Sequence, residues 1–240
     1  NRDIGIIRLQ LAVYFDDEEA MEQQLERLDP YPVFDPPFPR QQWRMTYMGL
    51  AALILSMKTE KRGVKRRESC TLPGFGKKQY DDIVTKWADT SLKFFEKLSS
   101  FGSPNAQPIY ACLKALDKPS QSAFDEAIET VGTFGLLNLG ALMNERCGLW
   151  ILEQQQKSQG PVVDGGANLQ QANLATEYLK VAVWCYHDWG AMNKVRQLES
   201  RYNFLTGAMR EKPPSALSSM RRQAAMLGVS RSAPTSTMSG

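Results

Sequence analysis

Apolar positions recur at three- and four-residue intervals along most of the chain from Gln41 onward. That is the spacing of one helical face, not the alternation of a half-buried strand. From Gln41 to Met57 the pattern is apolar nearly all the way round, through Trp43, Met45, Met48, Leu50, Leu53, Ile54 and Leu55. A helix of that kind belongs at the centre of a domain. Gln79 to Leu98 repeats Tyr80, Ile83, Val84, Trp87, Phe94, Phe95 and Leu98, and a shorter helix from Asn105 to Leu116 presents Ile109, Cys112, Leu113 and Leu116. Ser122 with Asp125 resembles a cap, and helical spacing then continues from Phe124 through Gln156 with a break near Gly132 to Gly135. Asn168 is the expected N-cap of a helix carrying Leu169, Ala172, Leu179, Val183 and Tyr186. Another helix runs from about Ala191 to Met209, until Pro213-Pro214 breaks it, and Ser215 caps a last short helix ending near Leu227.

The first forty residues read differently. Ile4 to Phe15 mixes short apolar runs with few charges, compatible with a strand or with the start of a buried helix. Asp16 has the form of an N-cap, with Glu19 completing a capping box ahead of an acid-rich helix that carries Met21, Leu25 and Leu28 on one stripe. Residues 29–40 hold five prolines in twelve positions, which forbids a helix. Tyr31, Val33, Phe34 and Phe38 are interleaved with them. Such a segment has lost much of its conformational entropy and can lay its aromatics in a groove, either on a neighbouring copy or on its own core. Tyr31, Phe34 and Phe38 are the candidate self-association residues. Residues 58–78 and 158–168 read as loops, and the stretch from Gly228 has no apolar period. The expected architecture is therefore mainly α: an extended N-terminal arm over 1–40, a single helical core over 41–210, and a short helix with a flexible tail over 211–240. No internal repeat emerges.

Composition narrows the chemistry. With 240 residues, 42% of them apolar and 23% charged, the chain is long enough to bury a sizeable core. The longest apolar stretch, Trp43 to Met57, is too short to cross a membrane and contains Arg44. The chain opens on Asn1 rather than Met, which leaves open a segment ahead of it. Cys70, Cys112, Cys147 and Cys185 lie far apart, and His187 is the only histidine. No zinc spacing exists, and free thiols in a reducing compartment are the simplest reading. Cys185 and His187 are two apart on a helix and point in different directions, so they do not form a nucleophile–base pair. Gly74-Phe75-Gly76-Lys77-Lys78 lacks both the glycine spacing and the hydroxyl of a phosphate-binding loop. No catalytic residue, metal ligand or cofactor is called for, and the chain reads as a non-enzyme.

Charge is the remaining signal. Residues 1–39 hold 3 basic and 9 acidic side chains, whereas residues 40–120 hold 15 basic and 7 acidic ones. An acidic arm ahead of a basic body can be neutralised within one chain or between copies. Lys58, Lys61, Arg62, Lys65, Arg66 and Arg67 form a cationic stretch, with Lys77 and Lys78 after it. A run of this kind suits a phosphate backbone, which it neutralises without reading bases, and Phe75 and Tyr80 offer stacking faces. A solvated loop or a localisation signal is the alternative. Further on, Arg201-Tyr202-Asn203-Phe204, then Pro213-Pro214, then Arg221-Arg222-Gln223-Ala224 resembles the C-terminal part of potyvirus-type filamentous coat proteins. The longer Phe-Asp-Phe element of that family is replaced here by Phe204-Leu205-Thr206. The resemblance implies a coat or nucleocapsid protein of the virion and host cytoplasm that binds single-stranded RNA without sequence preference. It places Arg201 near RNA, with Arg221 and Arg222 assisting, and lets arm and tail join successive subunits into a filament or ring. The alternative function is a cellular helical adaptor that binds protein partners through its Pro-aromatic arm and basic loop.

Overall fold

A computed structural model describes residues 2–29, 39–62, 77–158, 165–213 and 215. The described residues build an all-α single domain without strands, as the periodicity predicts. Its helices are α1 (Arg2–Phe15), α2 (Glu18–Leu28), α3 (Pro39–Arg62), α4 (Lys77–Ser100), α5 (Ala106–Asp117), α6 (Gln121–Thr133), α7 (Leu137–Ser158), α8 (Gly165–Asp188) and α9 (Met192–Arg201). Two 3-10 turns follow, Asn203–Leu205 and Ala208–Glu211.

Each helix from α3 onward packs on its successor, and the most extensive pairing joins α7 to α8. Two helices supply the centre. On α3, Met45, Met48, Leu50, Ala51, Ala52, Ile54 and Leu55 are all buried, and on α7 every residue from Leu139 to Gly148 is. Glycine sets the closeness of these contacts. A Cβ at Gly49 would lie 2.5 Å from the Ser91 Cβ, and one at Gly148 would lie 2.7 Å from the Leu179 Cγ. So α3 approaches α4, and α7 approaches α8, more nearly than any side chain at those two positions would allow.

The domain begins well before Gln41. Residues 2–28 are not an extended arm: they form α1 and α2, a pair laid against α3. Ile6, Leu9, Ala12, Val13 and Tyr14 of α1 are buried, as are Met21, Leu25 and Leu28 of α2. The alternatives for Ile4 to Phe15 thus resolve to helix, because burial on one side rewards the three-to-four spacing of Ile6, Leu9 and Val13. The candidate self-association residues Tyr31, Phe34 and Phe38 lie outside the described residues, as do Lys65, Arg66, Arg67, Arg221 and Arg222.

Local signals shift by one or two residues. Asp17, not Asp16, caps α2 by accepting from the Ala20 amide at 3.0 Å, so no capping box runs from Asp16 to Glu19. Ser120 caps α6 by accepting from the Ala123 amide at 3.1 Å, whereas Asp125 is buried and accepts from the Tyr178 hydroxyl at 2.5 Å. Helix α3 extends past Met57 to Arg62, and α4 begins at Lys77, so five of the candidate cations sit on helix ends and not in a loop: Lys58, Lys61, Arg62, Lys77 and Lys78. Helix α8 starts at Gly165, ahead of Asn168. Helix α9 ends at Arg201, where Tyr202 is extended. Among the described residues no helix is long and apolar enough to span a membrane.

Candidate functional site

The turn between α1 and α2 organises the site. Helix α1 ends with Asp16 in the left-handed region, φ 58°, a conformation that Asp tolerates better than most residues. The Asp17 amide then reaches back to the Ala12 carbonyl at 3.0 Å, closing the helix. This geometry points the Asp16 carboxylate inward. It accepts from Lys58 Nζ of α3 at 2.7 Å and from Arg146 Nη1 of α7 at 2.7 Å, and Arg201 at the end of α9 lies 3.7 Å away. Other groups from the same two helices serve the α1 terminus. Arg146 Nη2 donates to the Val13 carbonyl at 3.3 Å, and Gln197 Nε2 donates to the Phe15 carbonyl at 3.1 Å. Carbonyls left over at a helix end need such partners.

A second buried pair stands directly behind. Lys194 Nζ donates to Glu145 Oε1 at 2.8 Å, with both side chains at most 2% exposed, and the Tyr186 hydroxyl donates to the other Glu145 oxygen at 2.7 Å. Burial alone would raise the Asp16 carboxyl pKa, but the positive charges of Arg146 and Lys58 outweigh it and hold the group well below the usual carboxylate range. Burial lowers the Lys194 ammonium despite Glu145 beside it. Burial raises the Tyr186 phenol strongly, and Glu145 adds to that, so it stays a neutral donor. The cluster is thus a set of fixed charges tying four stretches of the chain together.

In front of this hub lies a cleft of about 430 Å³. It is lined by Asp16 and Glu18, by Ile54, Met57 and Lys58 of α3, by Arg146, Trp150 and Glu153 of α7, and by Arg201 and Tyr202. The α7 residues fall at helical spacing, so one face of that helix lines the cleft. Arg201 is half-exposed, and its guanidinium sits 5.6 Å from the Tyr202 ring centroid, within cation–π range. The Tyr202 ring in turn lies 5.7 Å from that of Phe204, which is exposed. Cations, aromatic faces and carboxylates therefore meet at one concave surface.

Of the sequence-derived candidates, the fold brings Lys58 and Arg201 together across this cleft. Lys61 and Arg62 follow one turn beyond Lys58 on α3, and Lys77 and Lys78 open α4. Lys58 is not a free cation: besides Asp16 it donates to Glu18 at 2.9 Å. Sequence reasoning missed Arg146 and Trp150. A signal did exist, since Asn144-Glu145-Arg146 interrupts an otherwise apolar run from Leu139 to Ile151. Charges in such a run are buried and must be paired. Four acids of the segment are paired within the chain: Asp16 and Glu18 with Lys58, Asp16 again with Arg146, Asp29 with Lys86, and Asp3 with Arg40.

His187 lies on α8, partly exposed beside Asp188, while Cys185 is buried and its thiol is pushed up to about 12 by burial. They do not form a pair. Among the described residues no cluster of three or more His, Cys, Asp or Glu side chains is placed to hold a metal ion. The cleft thus gathers cations, carboxylates and aromatic rings on one surface. Comparison with protein-family models, with curated proteins and with solved structures finds no match to the chain.

Proposed function

We propose that this chain is a structural nucleic-acid-coating protein that holds single-stranded RNA by its backbone, without sequence preference, and self-assembles along it. The observation that carries the reading is the cleft itself. Lys58 and Arg201, distant in the sequence and each a candidate on its own, both line it together with Tyr202 and Trp150. Cationic side chains beside aromatic faces are what sequence-tolerant binding of a single strand requires, since every base has a face to stack and every phosphate a charge. Lys61, Arg62, Lys77 and Lys78 extend the cationic track from the ends of α3 and α4, and Arg221 and Arg222 add to it from the C-terminal segment. The Pro-aromatic segment with Tyr31, Phe34 and Phe38 joins neighbouring copies.

Fluorescence anisotropy with labelled single strands of equal length and different sequence tests the reading. Arg201→Ala should weaken binding alike for all sequences and lower the slope of log K against log salt by about 0.7, the value of one lost single-strand phosphate contact. Tyr202→Ala should cost about 1–3 kcal/mol by loss of stacking with little change in slope. Wild-type protein that fails to bind any strand at low salt would overturn the reading.

The adaptor alternative has a different surface in its favour. Ile4, Ile7 and Leu11 line up on α1 and are each about half-exposed, a stripe of the kind that partner helices cover. Purified protein free of nucleic acid by its absorbance ratio, and monomeric in sedimentation with or without RNA, would move the adaptor ahead.

A further inference from the structure

The cleft already contains an anion. Asp16 is 7% exposed and takes Lys58 and Arg146 at 2.7 Å, with Arg201 at 3.7 Å. Glu18 takes Lys58 a second time at 2.9 Å. The three cations are bound unequally. Arg146 is 5% exposed and also holds the Val13 carbonyl, so it belongs to the fold. Lys58, at 18%, is half-committed, and Arg201, at 55%, touches the carboxylate only at the limit of an ion pair. Arg146 keeps one donor in reserve: its buried Nε has no hydrogen-bond partner among the described residues. A donor buried without a partner is costly, and here it belongs to a residue that lines the cleft.

We propose that Asp16 is a resident competitor for RNA phosphate, so that the cleft of the free chain is partly self-blocked and a strand enters by taking Arg201, and then Lys58, from the carboxylate. The inference rests on the reading of the cleft as an RNA site. Arg146 remains with Asp16 throughout and keeps the α1–α2 turn in place while the two outer cations change partner. No covalent step is involved. Nucleic acid and carboxylate draw on the same charges, so the affinity of the cleft is set below what its cations would otherwise give. A protein that must coat RNA reversibly needs such a limit, because phosphate contacts summed along a strand otherwise bind too tightly to release.

The test compares binding of a labelled oligouridylate to wild type, Asp16→Asn and Glu18→Gln over a range of salt. Asp16→Asn should bind more tightly than wild type despite being less stable. Its log K–log salt slope should stay close to that of wild type, because the same cations reach phosphate in both complexes, and the strand should raise its Tm more than it raises that of wild type. A merely structural carboxylate predicts the opposite, weaker binding in a weakened fold. Folded Asp16→Asn that binds no more tightly than wild type overturns the proposal. If Asp16→Asn does not fold, Glu18→Gln decides: it removes only the outer acid on Lys58, and unchanged affinity there overturns the proposal equally. Wild type that binds no strand at all rejects the RNA reading and this inference together, an outcome distinct from a wild type that binds with variants that bind no better.

Discussion

At Asp16 the backbone takes the left-handed turn that ends α1, and the carboxylate neutralises Lys58 of α3 and the buried Arg146 of α7. Its depressed pKa makes the fold acid-sensitive. A free Asp titrates near about 3.9, and the folded group titrates below that. The stabilisation it confers is therefore complete above about pH 4 and is lost as the pH falls further through the folded value. Urea unfolding followed from pH 7 down to about pH 2 should show stability falling along this limb. Asp16→Asn should lower stability at pH 7 by roughly 3 kcal/mol, the cost of leaving a buried Arg without its counter-ion, and should flatten the acid limb. An unaltered acid limb in the variant would mean that other carboxylates govern it. This residue was visible in the sequence only as a capping acid. Spacing reports neighbours three or four positions away, and the partners that give Asp16 its role come from helices that follow much later in the chain.

Among the elements, α3 and α7 were legible because each buries nearly its whole circumference, and a helix apolar all round has nowhere else to go. Helix α1 was ambiguous because Ile4, Ile7 and Leu11 remain exposed and dilute the stripe made by Ile6, Leu9 and Val13. Its burial against α3 sets what truncation should do. Removing residues 1–29 takes away Leu9, Val13, Met21 and Leu25, all fully buried, and bares the apolar face of α3. The shortened chain should be insoluble or largely unfolded in circular dichroism; a well-folded truncated protein would show that α1 and α2 are dispensable. The α7–α8 contact makes a narrower prediction. Gly148→Ala puts a methyl against the Leu179 side chain and 3.1 Å from the Ala175 carbonyl. Overpacking of this kind costs about 1–3 kcal/mol, and it should appear as a lower urea midpoint with an unchanged m-value. The site cleft itself was only half legible. Lys58 and Arg201 announce themselves as surface cations, but the face of α7 that joins them is hidden in an apolar run.

For the molecule as a whole, part of the uneven charge along the chain is settled internally: Asp16, Glu18 and Asp29 pair with Lys58, Arg146 and Lys86 from α3, α7 and α4. The most buried of these pairs are little screened, so salt should affect the fold of a single copy only weakly. Thermal unfolding of RNA-free protein between low and about 0.5 M salt checks this: a large loss of Tm would assign the fold to screened surface pairs. The ties at Asp16 also fix an order of events during synthesis. Helices α1 and α2 depend on Asn138, Arg146 and Gln197, whose bonds to Tyr14, Asp16 and Phe15 span 124, 130 and 182 positions of the chain. At roughly 5–20 residues per second, α1 and α2 emerge many seconds before the groups that pin their shared turn. During that interval Lys58, 42 positions after Asp16, is the cation within its reach, and the bonds from Arg146 and Gln197 are missing. A ribosome stalled before residue 197 would thus display a nascent chain in which protease still cuts α1 and α2, and synthesis past Gln197 would complete the bonds to their shared turn.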